Sequence, residues 1–174
     1  IRLVTGSITM SDWTVKSLSR SEWQSLAPTY TDYNYQQTLG YLETIAKSQN
    51  SRLELVGVYE KAELRGIAGV RIKHIPILNS GMAYLAGGPL VRRPQVELSV
   101  FTQVTNTLAR HYALAQNYFL RLAAPIWNSS TVSDQISILE KQGFSQNTFL
   151  PPYSTSLLDL SIGEEQLKKN FHKK

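Results

Sequence analysis

Met82-Ala-Tyr-Leu-Ala-Gly-Gly-Pro-Leu90 reads as a short buried strand that runs straight into a glycine-glycine-proline turn. Alternating apolar residues support the strand over Met82 to Ala86. The two glycines allow a backbone or a ligand to approach closely. Pro89 then fixes the exit and removes one amide donor.

Working outward from that stretch, Pro94 stands where a helix can begin, since its missing amide would be unpaired there in any case. Leu98, Phe101, Thr105, Leu108 and Tyr112 keep helical spacing to about Ala115. Phe119-Leu-Arg-Leu-Ala123 is the next strand. A helix over Thr131 to Gln142 stops at Gly143, a suitable left-handed cap. Thr155 to Leu160 reads as a late strand, and Ser161-Ile-Gly-Glu164 as a capping box opening a last helix. Upstream, Leu53 to Tyr59 alternates as a strand, Lys61-Ala-Glu63 turns, and Gly66 to Ile75 returns, which predicts an antiparallel hairpin. Gln36 to Lys47 is predicted helical, with Leu39, Leu42 and Ile45/Ala46 on one face. Before it lie a turn at Asp32, Tyr33 and Asn34 and an opening segment rich in polar and aromatic residues, including Trp13 and Trp23. The order predicts an α/β domain with a mixed, largely antiparallel central sheet flanked by helices.

Composition narrows the function. With 174 residues, 42% of them hydrophobic and 18% charged, the chain has the size and core of one folded domain. It contains no cysteine, which excludes disulfides, thiolate catalysis and zinc-thiolate sites, and which fits a cytoplasmic protein. No run approaches the ~18 apolar residues of a spanning helix, so no stable membrane insertion is expected. A net charge of +5 suits an anionic partner such as a nucleotide, a phosphate, RNA or a membrane surface. Its cations are dispersed: Lys168, Lys169, Lys173 and Lys174 at the C-terminus, Arg92 and Arg93 after the turn. His74, His111 and His172 lack metal-ligand spacing, and no metal is expected. No Gly-x-Ser-x-Gly elbow and no interleaved aromatic-basic RNA motif occurs. No catalytic residue is assigned.

Three stretches together resemble a known family: Tyr35-Gln-Gln-Thr-Leu-Gly-Tyr41, Tyr84 to Leu90, and Pro152-Tyr-Ser-Thr155 with Leu158-Asp-Leu-Ser161. With the hairpin, the third strand, the long helix and the closing Lys141-Gln-Gly-Phe144, they look like the GNAT acyltransferase fold. More narrowly, they are similar to the N-terminal GNAT-like domain of the FemAB family, tRNA-dependent aminoacyl transferases that build peptidoglycan cross-bridges. Tyr41 stands where that family's helix usually carries tryptophan. The resemblance implies one GNAT-like domain over residues 1–160, with 161–174 the start of a basic helix leading to a second domain outside this chain. The chain's start at Ile1 and end at Phe171-His-Lys-Lys174 fit a piece of that kind.

It also implies a role, that of binding the acceptor of an acyl or aminoacyl transfer. That acceptor would be a peptidoglycan precursor or another cell-envelope intermediate, handled in the cytoplasm or at the inner membrane surface. Aminoacyl-tRNA would be met through the second domain, and the isolated piece would be inactive. The candidate acceptor-binding residues are Tyr84, Gly87, Gly88, Arg92, Arg93, Gln36 and Tyr35, with the arginines holding a phosphate and Tyr84 orienting it. Gly87 and Gly88 either shape a cleft or relieve a bulge between splayed strands. No cofactor is expected. Acyl-CoA enzymes of this fold place a glycine-rich turn before the long helix to hold pyrophosphate on backbone amides. This chain has Arg92-Arg-Pro-Gln-Val-Glu97 there, without glycine and with an acidic residue. Two alternatives remain open: a free-standing N-acyltransferase using acyl-CoA, and a non-catalytic GNAT-like binding module.

Overall fold

In the computed structural model, the described residues are 13–93, 98–124, 132–146, 163–165 and 168. The elements run β1 (Trp13–Ser17), α1 (Arg20–Leu26), α2 (Leu39–Ser48), β2 (Arg52–Glu60), β3 (Glu63–Ile75), β4 (Ser80–Ala86), α3 (Leu98–Ala109), β5 (Tyr118–Ala123) and α4 (Val132–Lys141). Their sheet has the order β1-β2-β3-β4-β5. The first three pairings are antiparallel, and β4 pairs with β5 in parallel. The α3 crossover makes that last pairing possible, because parallel neighbours need a long connection. This is the mixed, largely antiparallel α/β arrangement expected from the sequence.

Two elements of the opening segment were not expected from the sequence. β1 pairs along β2 from Trp13↔Glu60 to Ser17↔Val56. α1 opens on a capping box in which the Glu22 amide donates to Ser19 Oγ (3.2 Å) and the Ser19 amide to Glu22 Oε2 (2.7 Å). The signal Ser19-x-x-Glu22 was there to be read. The helix expected from Gln36 instead begins as a separate 3₁₀ turn, Tyr35–Gln37, with α2 starting at Leu39. Asn34 accepts from the Gln36 amide and draws that turn out of the helix.

Two cores cover the two faces. Val56, Val58, Ala68, Val70, Ile72, Ala83 and Leu85 pack on Phe101, Val104, Leu108 and Tyr112 of the α3 side. Leu55, Ile67 and Leu90 pack on Trp23 and Leu42 of the α1–α2 side. Fully buried side chains of the leucine and phenylalanine class contribute ~1.5–3 kcal/mol each. α3 runs on into a π-helical turn, Arg110–Ala115, that keeps Tyr112 buried. α4 closes as expected at Gly143 (φ 88°), with the Gly143 amide on Glu140 O and the Phe144 amide on Leu139 O. Gln142 then ties α4 to α3, accepting from Thr105 Oγ1 (2.9 Å) and donating to Thr102 O (2.7 Å). Pro94, the strand expected at Thr155 to Leu160 and the capping residue Ser161 lie outside the described residues, as does the Pro152 motif. Glu164 and Lys168, both helical, form an exposed 2.7 Å ion pair.

Candidate functional site

The end of β4 is built into the molecule by the loop before α2. The β3–β4 ladder stops at Arg71↔Tyr84 and resumes at Ile67↔Leu90. Tyr84 to Leu90 therefore spans two residues more than Arg71 to Ile67, and the surplus is the Gly87-Gly88 segment. The gap is filled by Gln37, which is 0% exposed. Its Nε2 donates to Ala86 O (2.6 Å), and its Oε1 accepts from the Gly69 amide (2.9 Å). A side-chain amide thus stands in for a missing ladder peptide. Trp23 Nε1 holds the Gln37 carbonyl at 3.2 Å.

Gly87 adopts φ +67°, a conformation that favours glycine. Its amide donates to Ala123 O (2.8 Å), and its carbonyl accepts from Asn34 Nδ2 (2.6 Å). A Cβ there would stand 2.5 Å from Asn34 Oδ1 and 2.9 Å from Gln36 Cβ. The glycine pair therefore accommodates a bulge opposite β3, while the β4–β5 ladder stays in register from Gly81↔Tyr118 to Ala86↔Ala123.

Beyond Pro89 the same loop holds the chain again. Asp32 Oδ2 accepts from the Val91 and Arg92 amides, each at 3.1 Å, and the Thr31 amide donates to Arg92 O (2.9 Å). Burial pushes the Asp32 carboxyl above its ordinary value, with the two amides opposing. The Arg93 guanidinium lies 4.3 Å from the centre of the Tyr30 ring. Burial pushes the Tyr30 phenol up to about 12, with Arg93 opposing.

One strand rung sits below this clamp on the α2 side of the sheet. Arg71, Tyr84 and Arg121 are register partners across β3, β4 and β5. The guanidinium of Arg71 lies 4.7 Å, and that of Arg121 5.0 Å, from the centre of the Tyr84 ring. Arg71 is only 6% exposed and donates to Gln49 Oε1 at the end of α2. Burial holds Arg71 below its ordinary value, and the neighbouring Tyr84 and Tyr41 oppose that shift. One rung lower on the same face are Lys73, Met82 and Phe119, all exposed. Tyr35 and Tyr41 stack edge to face at 5.3 Å.

Of the seven residues expected from sequence, Gln36, Gly87 and Gly88 meet at the clamp, and Tyr84 points from the rung beside it. Tyr35 stands at the start of the same 3₁₀ turn. Arg92 and Arg93 lie further along the turn, against Asp32 and Tyr30. Sequence reasoning missed Arg71, Arg121, Asn34, Asp32 and Gln37. The one available signal was an arginine interrupting each apolar strand, at Arg71 and Arg121.

Other polar clusters lie elsewhere. Tyr112 Oη donates to Glu54 Oε2 (2.9 Å), and Arg52 pairs with Glu54 (2.7 Å) beside a cavity of about 440 Å³ that His111 and Gln116 also line. Burial lowers the His111 pKa, Glu54 opposing. A second cavity, about 680 Å³, opens between α1, α2 and β2. Among the described residues no three His, Asp or Glu side chains form a metal-ligand set, and no helix is long and apolar enough to cross a membrane.

No family model and no curated protein matches this sequence. Among solved structures, one described as a probable acetyltransferase aligns at 16% identity and TM-score 0.45, over 84% of this chain and 99% of its own. A transcriptional regulator from Bacillus halodurans C-125 aligns at 11% identity and TM-score 0.46, over 83% of this chain and 99% of its own. The sheet order, not either likeness, carries the fold assignment.

Proposed function

We propose that this chain is a GNAT-like domain of FemAB type that binds the acceptor of an acyl or aminoacyl transfer, a peptidoglycan precursor or another cell-envelope intermediate. One observation carries the reading. Two separate stretches of the FemAB resemblance, Tyr35 to Tyr41 and Tyr84 to Leu90, converge on one end of the sheet. There Asn34 and Gln37 bind the Gly87 and Ala86 carbonyls. The Tyr84 ring lies beside this clamp on the sheet face with Arg71 and Arg121. Tyr84 supplies a hydroxyl for orienting an acceptor, and the clamp fixes the strand that bears it.

Acyl-CoA use is the less favoured reading. The β4–β5 ladder continues into the Gly87 to Ala123 hydrogen bond, so the strands hold together at the Gly87-Gly88 end. The amides of Val91 and Arg92 are taken by Asp32 and are not free for a pyrophosphate. Calorimetric titration with a UDP-linked muramyl pentapeptide and with acetyl-CoA separates the readings. Binding of the muramyl peptide alone is expected. Micromolar acetyl-CoA binding would make this an acyl-CoA-dependent domain instead, and silence from both would leave only the fold.

A further inference from the structure

Arginines in this molecule divide into those with a carboxylate partner and those without. Arg20 pairs with Glu43, Arg52 with Glu54, and Arg65 with Glu60 and Glu63. Neither Arg71 nor Arg121 has an Asp or Glu of the described residues within ion-pair distance, although Arg71 is 6% exposed. Burying a cation such as Arg71 without a counter-charge is unfavourable, and a second, half-exposed cation on the same ring adds to that cost. Both guanidiniums lie within about 5 Å of the Tyr84 ring centre, so they are no more than about 10 Å apart, on the order of one Debye length.

We propose that Arg71 and Arg121, with Tyr84 between them, bind a doubly charged phosphoryl group of the acceptor. The proposal rests on the acceptor reading of this face. Two fixed positive charges match a phosphate dianion, whereas a single carboxylate would leave one charge uncompensated. Arg71 is already oriented by Gln49 and by the Tyr84 ring, with one Nη1 hydrogen bond engaged by Gln49 out of the five donors of a guanidinium. Arg121 is half-exposed and gives the site an open side. Met82 and Phe119, 41% and 66% exposed one rung lower, provide an apolar seat for whatever carries the phosphate, and Lys73 adds a third cation beside them. The sequence-adjacent pair, Arg92 and Arg93, does not share this geometry.

The phosphoryl group can belong to a soluble ester or to a lipid headgroup, and two probes separate these sources. The whole chain is titrated calorimetrically with sodium diphosphate at low salt, and is sedimented with phosphatidylcholine vesicles with and without phosphatidic acid. Arg121→Gln is expected to weaken diphosphate binding by about tenfold or more, with the melting temperature unchanged. Arg71→Lys keeps the charge at the buried position but loses the fork, and is expected to weaken binding in the same direction. Arg110→Gln, which removes an exposed charge from the π-helical turn after α3, is the charge-matched control and is expected to bind like the wild type. Diphosphate binding without vesicle retention identifies a soluble phosphoryl acceptor. Retention on phosphatidic acid that Arg121→Gln abolishes identifies a lipid phosphate. The proposal is overturned if neither probe binds, if Arg121→Gln binds as the wild type does, or if Arg110→Gln weakens binding equally. Arg121-dependent diphosphate binding without muramyl-peptide binding would keep this site and discard the peptidoglycan acceptor. Muramyl-peptide binding indifferent to Arg121 would do the reverse.

Discussion

Two pairs of arginines lie near the end of β4, and they differ in what their surroundings leave free. Arg92 and Arg93 are neighbours in sequence. The Arg92 amide and carbonyl are taken by Asp32 and Thr31, and the Arg93 guanidinium covers Tyr30. Arg71 and Arg121 are 50 residues apart in number, yet the register of three strands brings both onto one tyrosine ring, with no carboxylate of the described residues within ion-pair distance. The turn is bonded into the fold at Gly87, Leu90, Val91 and Arg92, whereas in the rung beneath it Arg71 is buried and Arg121 is half-exposed. Under the phosphoryl proposal, recognition falls to Arg71 and Arg121.

That contrast breaks most directly at Gln37. Replacing Gln37 by leucine leaves the Gly69 amide and the Ala86 carbonyl buried without partners, and a loss of about 3 kcal/mol in denaturant unfolding is expected. A loss under about 1 kcal/mol would mean that β3 and β4 close the gap without the side chain. Gly87→Ala comes next. It sets a Cβ against Asn34 and Gln36 at a left-handed φ, and should lower stability by about 2 kcal/mol. If anion binding falls in that variant while stability does not, the turn belongs to the recognition surface after all.

The sharpest comparison pairs one arginine from each set. Arg93→Gln loses its stacking on Tyr30 and should cost about 1 kcal/mol. Arg121→Gln should change stability by less than about 0.5 kcal/mol. Thermal melts of the two variants, reversed in order, would invert the assignment of roles. The smallest effect is in pH. The folded chain holds the Asp32 proton more tightly than the unfolded chain does, because its pKa is raised from 3.8. The contribution of that group to stability is therefore fully present below pH 3.8 and is lost as pH rises through the raised folded value. Relative to Asp32→Asn, the wild type should lose stability between pH 4 and neutrality. A difference that stays flat or grows with pH would contradict the burial assigned to this carboxyl.

The opening segment shows where local pattern fell short. β1 is an edge strand of five residues with a half-buried, half-exposed pattern, and only its pairing to β2 defines it. Gln37 is a polar residue among polar neighbours in sequence, and nothing local marks it as 0% exposed. The Gly87-Gly88 pair was legible as a place of close approach, but the element approaching it, the Asn34–Gln37 loop, was not.

By itself the sequence determined the periodic elements. The β2–β3 hairpin, the β4 strand into its glycine turn, the α3 face and the Gly143 stop all follow from spacing and turn chemistry, which act over a few residues. The tertiary structure alone decided which side chains share a face of the sheet. Register between strands is set by long-range pairing and by the two-residue bulge opposite Ile67 to Arg71. A slip of one residue would have sent Arg71, Tyr84 and Arg121 to opposite faces.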